Sequence, residues 1–243
     1  GSMNRRWIFF VSALLFGCNE TNLARKEQTD YFLQEPISKV DILWVVDNSP
    51  SMVQEQQKVA NGFSLFISHI EKTNIDFHIG VITTDMDDPA TRGRLIADSE
   101  TGIKIIVPET PDYQEVFQRI VQVGIEGSGW EKGLEAARYA LTEPMISTEN
   151  AGFLRDDATL SIIVVSDEND CSDNGQLPGE DQIECYEMWE LLVPVSYYVD
   201  AFWDLKPDDD DVIFSCIVGP RRVDEKTCED TAPGSRYIDV ASY

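Results

Sequence analysis

The chain has 243 residues, 42% of them hydrophobic, and a formal net charge of −25. That length suits one sizeable domain or two small ones, and the hydrophobic share supports a packed core, which excludes global disorder. The negative charge disfavours nucleic acid and anionic membrane surfaces, and favours cations or basic partners, although most of it reads as a solvated surface.

At the N-terminus, Gly1-Ser2 ahead of Met3 reads as a cloning remnant. Arg5-Arg6 precede the apolar run Trp7 to Phe16, "WIFFVSALLF". At about 1.5 Å per residue this run is too short to span a bilayer, as in a secretory signal. Its end, "LLFGC", resembles a bacterial lipoprotein signal, Leu-small-small-Cys, with Phe16 larger than usual. The resemblance implies cleavage before Cys18, lipidation of its thiol and, with Asn19 next, sorting to the outer membrane or cell surface. Residues 1–18 are thus expected to be remnant plus signal, 19–37 a polar tether, and 38–243 one domain with a disulfide-containing C-terminal part. Contact with a membrane is expected through the lipid anchor only.

Within that domain, Val40 to Val46 reads as a strand and Met52 to Glu71 as a helix, with Val59, Phe63, Phe66, Ile67 and Ile70 at helical spacing. Further strands are expected at 77–83, 103–107, 160–166 and 212–218. Helices are expected at 113–123 and 131–142, a short one at 187–192, and helix or strand at 195–202. Strands apolar on both faces, alternating with amphipathic helices, predict an α/β fold with a mostly parallel central sheet and helices on both faces, Rossmann-like. Ligands in such folds sit beyond the carboxyl ends of the strands. Two polar clusters fall there: Asp47-Asn48-Ser49-Pro50-Ser51 and Asp167-Glu168-Asn169-Asp170.

Asp47-x-Ser49-x-Ser51 after the first apolar strand, with Asp167 after "SIIVVS", resembles the metal-ion-dependent adhesion site of von Willebrand factor type A domains. The resemblance covers roughly 38–218. It implies that Ser49 and Ser51 offer hydroxyl oxygens to a divalent cation, with Asp47 and Asp167 acting mostly through water. Oxygen donors of this kind suit Mg²⁺ (or Mn²⁺/Ca²⁺). Few direct charges leave the ion electrophilic, so a protein ligand offering an acidic residue completes its shell. Without a metal, the first cluster reads as a helix N-cap, with Ser49 or Asn48 expected to satisfy free amides ahead of Met52. The family places Thr before its third helix, but "GIEGSGWEKGLEAA" contains none. Ser128 is the nearest hydroxyl; if Ile125 is the aligned residue, one ligand is lost, and Glu126 or Glu131 is placed to intrude. Asp85, after the second strand, faces the same edge as an outer partner of the site or as a solvated loop acid.

Four cysteines remain besides Cys18, an even number that suits two disulfides in an exported protein. Three pairings exist; the local one, Cys171–Cys185 with Cys216–Cys228, closes two short loops and is the one expected. Zinc spacing is absent, as are a phosphate loop and a nucleophile elbow, and only His69 and His78 are present. No nucleophile–base pair is legible, so an enzyme is not expected. The functional expectation is a cation-dependent protein-binding module in adhesion or envelope assembly. Its alternatives are a metal-free envelope scaffold and an accessory subunit of an enzyme. "SDENDCSD" and "SRYIDVAS" also resemble a group of exported bacterial lipoproteins with type A domains, in which a further helix usually follows. With the sequence stopping at Tyr243, either the C-terminal part is truncated or the last helix is absent, which would leave apolar surface near 212–218 less covered.

Overall fold

The computed structural model describes residues 39–73, 75–179, 183–221 and 231–243. Cys18, the 1–18 and 19–37 segments, and Cys228 lie outside the described residues. Four strands form one sheet in the order β2-β1-β3-β4, all parallel: β1 (Lys39–Val46), β2 (Asp76–Thr83), β3 (Thr159–Val165) and β4 (Val212–Ile217). Helices α1 (Val53–Lys72), α2 (Tyr113–Ile120), α3 (Gly133–Leu141), α4 (Glu184–Glu187), α5 (Val195–Trp203) and α6 (Ser235–Val240) accompany it.

Strand residues alternate between two cores, as the pleat requires. Leu43, Val45, Ile162 and Val164 face one way, against Leu134, Tyr198, Phe202 and Tyr237 of α3, α5 and α6. Ile42, Trp44, Ile163 and Val165 face the other, against Phe63 and Ile67 of α1 and Phe117 of α2. Phe63 and Phe117 stack with ring centroids 3.6 Å apart, and Trp44 meets Phe117 edge-on. Each such side chain, fully buried, stabilises the fold by about 1.5–3 kcal/mol. This two-sided burial is why the strands read as unbroken apolar runs.

The expected strand at 103–107 is not formed. Ile106 makes a single antiparallel bridge to Ile79, and Ile96 N–H donates to Val81 C=O. Between those two touches on the β2 edge, residues 98–102 turn back, with Asp98 accepting from Thr101 and Arg119. The segment crosses the edge instead of running along it. The ambiguous 195–202 stretch is helix α5, because Tyr198, Val199 and Phe202 bury one helical face. On β4, Ile213 and Ile217 are exposed.

Strand order reverses at β1: β2 lies on one side, and the chain returns through α2 and α3 to place β3 on the other. The register pairs Val46 with Val165, which sets Asp47 beside Ser166 at the carboxyl ends of the two central strands. That switch point is the usual ligand position in an open parallel sheet.

Candidate functional site

Asp47 leaves β1 fully buried. Its Oδ1 accepts from Ser49 N–H at 2.7 Å and its Oδ2 from the Ser166 hydroxyl at 2.6 Å. The Asp47 backbone carbonyl accepts from Gln56 Nε2, which also donates to Gly124 C=O, so α1 is stitched to the loop before α3. Pro50 starts a short 3₁₀ turn, Pro50–Met52, that leads into α1. The turn brings the Ser49 and Ser51 hydroxyl oxygens to 3.0 Å apart. Two adjacent ligands of an octahedral ion with bonds of about 2.0–2.1 Å stand about 3 Å apart, so the pair has the spacing of neighbouring ligands on such an ion.

Across the rim, Asp167 follows β3 and is buried, with no hydrogen-bond partner for its Oδ1 among the described residues. Burial pushes its carboxyl up, against the opposing pull of the Ser51 hydroxyl. Burial likewise raises Asp47, opposed by Ser166 and Ser49 and assisted by Asp167. The rim therefore brings Asp47, Ser49, Ser51 and Asp167 together.

A further acid enters from the loop before α3. Glu131 is fully buried, its carboxyl set against that of Glu168, and among the described residues no cation and no other residue's backbone amide reaches its oxygens. Burial first, then Asp47 and Glu168, push it up to about 10. Glu168 is raised as well, by burial first, opposed by a hydrogen bond with the Glu131 carboxyl and assisted by Asp47 and Asp167. Asp47, Glu131, Asp167 and Glu168 form no ion pair with Lys, Arg or His among the described residues. Nearby acids are treated differently: Asp170 pairs with Arg236 at 3.0 Å and Asp173 with Lys132 at 2.8 Å.

Ser128 turns toward other acids. Its hydroxyl donates to Asp87 Oδ2 at 2.6 Å and its amide to Asp85 Oδ2 at 3.2 Å. Asp85, buried, also accepts from the amides of Asp87 and Asp88 and so organises its own loop. The neighbouring Gly127 N–H donates to Asn48 C=O, and a Cβ on Gly127 would lie 2.3 Å from the Asn48 side chain. Only glycine permits that approach. Ser166, Thr83 and Thr84 are rim residues that motif reading does not single out. The Thr83 and Thr84 hydroxyls are buried without hydrogen-bond partners among the described residues. The signal for them was only a hydroxyl at the end of an apolar strand, and core-facing threonines share it.

The residues fit a cation in one respect and limit it in another. Orphaned carboxylate oxygens beside paired hydroxyls are the donor chemistry of a hard divalent ion. Yet among the described residues no three His, Cys, Asp or Glu side chains are grouped so as to hold a metal ion by themselves. A cation here would rest on the serine hydroxyls with one or two direct carboxylates, and on water.

The Cys171–Cys185 disulfide forms as expected and closes the loop that follows Asp167. Cys216 is half-buried and has no disulfide partner among the described residues; its expected partner Cys228 lies outside them. No helix among the described residues is long and apolar enough to cross a membrane.

No protein-family model matches the chain, and no curated protein does either. Among solved structures, the chain is similar to the pilus adhesin SpaC from Lactobacillus rhamnosus GG in its open conformation, at TM-score 0.36 and 16% identity, over 57% of this chain and 16% of that one. It is also similar to proximal thread matrix protein 1 from the mussel byssus, at TM-score 0.33 and 9% identity, over 86% of this chain and 46% of that one. The chain thus spans under half the length of either. Likeness at this level carries no functional argument.

Proposed function

We propose that the protein is an exported, lipid-anchored type A domain that binds a protein partner through a divalent cation held at the carboxyl ends of β1 and β3. Asp47, Ser49, Ser51 and Asp167 would hold the ion, and an acidic side chain of the partner would complete its shell. When bound, the ion supplies a positive centre to which that side chain attaches. The chain's own residues do the rest. Ser166 and the Ser49 amide fix the Asp47 carboxylate, and the Pro50 turn sets the two serine oxygens.

One observation carries the reading: buried rim carboxylates, with no ion pair among the described residues, stand next to a hydroxyl pair at ligand spacing. Burying charge without compensation is costly, and an external cation would remove that cost. Exposed Tyr186, Met188 and Trp189 follow Cys185, and Tyr186 senses the charges of Glu168, Glu131 and Asp167. They offer a partner apolar contact area beside the rim.

The deciding experiment is thermal unfolding with Mg²⁺, Mn²⁺, Ca²⁺ or chelator, for the wild type and Asp47→Ala. A cation at a hundred times its dissociation constant should add about 2.7 kcal/mol to the wild type and nothing to the variant. A wild type indifferent to all three ions removes the reading. It would leave the metal-free scaffold, which the commitment of the Ser128 hydroxyl to Asp87 favours.

A further inference from the structure

The loop 124–132 is tied down at several points. Gly124 C=O accepts from Gln56, Gly127 N–H donates to Asn48 C=O, Lys132 N–H donates to Thr84 C=O, and Glu131 C=O accepts from Cys171 N–H at 2.7 Å. These bonds fix the Glu131 backbone between the end of β2 and the disulfide loop. Its side chain is fully buried beside Asp47, its carboxyl set against that of Glu168, and among the described residues no cation and no other residue's backbone amide reaches either oxygen. The adjacent cation, Lys132, is directed to Asp173 and does not neutralise it. Ser128, the loop's hydroxyl, is spent on Asp87.

From this arrangement we infer that Glu131 is an anionic ligand of the rim cation, in the role that a neutral hydroxyl from this loop would otherwise fill. The inference rests on the cation-binding reading above and deepens it. A neutral donor leaves the charge of the ion for a partner to satisfy. A carboxylate from the chain itself satisfies part of it beforehand. The ion is then retained in the absence of any partner, and the loop is locked to β1 through it. Two direct carboxylates, Glu131 and one of the aspartates, with the two serine hydroxyls and water, satisfy a six-coordinate hard ion without three grouped acids.

The test is Mn²⁺ and Mg²⁺ binding by calorimetry to the partner-free chain, for the wild type, Asp47→Ala, Glu131→Gln and Ser128→Ala, with unfolding in chelator as a fold control. Gln keeps the shape of the buried side chain but cannot give up a proton to become an anionic ligand. Should it fail to fold, Glu131→Met serves in its place. Expected are measurable wild-type binding, loss in Asp47→Ala, at least tenfold weakening in Glu131→Gln, and less than threefold change in Ser128→Ala. Loss in Asp47→Ala with wild-type affinity in Glu131→Gln overturns this inference and leaves the cation site standing. So does weakening in Ser128→Ala that matches or exceeds that in Glu131→Gln. No binding by the wild type overturns both.

Discussion

Asp41 lies near the start of β1 and Asp47 just past its end, and both side chains are fully buried. Asp41 accepts from the Arg155 amide at 2.6 Å and from Arg155 Nε at 2.8 Å, with His78 at 3.8 Å. Arg155 also donates to the carbonyls of Val40 and Asp76, so it closes the amino end of the sheet. Asp47 receives one amide and one hydroxyl, and no cation among the described residues. One end of the strand is neutralised by the chain itself. The other has acids without an ion pair among the described residues, pushed by burial toward their neutral forms, at the end where ligands bind in parallel sheets.

The strongest way to break this contrast is Arg155→Ala. Leaving Asp41 buried and unpaired should cost about 3–5 kcal/mol in urea unfolding at neutral pH. A cost under about 1 kcal/mol would mean that the amino end is not held by the pair. Next, replacing Cys171 and Cys185 together by Ser should cost about 3 kcal/mol, because the bridge closes a loop of sequence separation 14. The rim end would then depend on a covalent staple where the amino end depends on an ion pair. Somewhat smaller is the cation effect of about 2.7 kcal/mol at a hundredfold excess over the dissociation constant. Its counterpart sharpens the contrast: Asp47→Asn in chelator should change stability by no more than about 1 kcal/mol, since no buried cation is orphaned.

The smallest expected effect concerns Asp98, whose carboxyl is held well below its usual range by hydrogen bonds from Arg119, then Thr101. Its folded pKa is depressed, so its stabilisation is fully present above the unfolded value of about 3.9. It is lost as pH falls through the depressed folded value. Arg119→Gln should therefore flatten the acid limb of melting temperature against pH below about 4, with little change in slope at neutral pH. An unchanged acid limb would show that this pair does not shape it.

Regular elements with two-sided or helical burial were legible: β1, β2, β3, β4, α1 and α3 fall within a few residues of where periodicity places them. The 103–107 segment was not, because "IKIIV" has the composition of a strand while the turn at 98–102 allows only one bridge to β2. Local composition does not encode how long a segment stays beside an edge. Of the rim, Asp47, Ser49, Ser51 and Asp167 stood out through their position after apolar runs. Ser166 and Glu168 stood in the same quoted stretches with nothing to mark their roles. Glu131 was visible as an acid near a helix start, but its burial was not.

By itself the sequence determined the alternation of apolar strands and amphipathic helices, and hence a parallel sheet with acids and hydroxyls at its carboxyl rim. Those follow from side-chain period and burial, which are local properties. Only the tertiary structure decided which charges are neutralised. Arg155 reaches Asp41, Arg236 reaches Asp170 and Lys132 reaches Asp173, across separations that no sequence pattern records. Glu131 is left facing Asp47 because three loops converge on it from distant parts of the chain. Charge pairing depends on distance in space, and that is fixed only when the sheet closes.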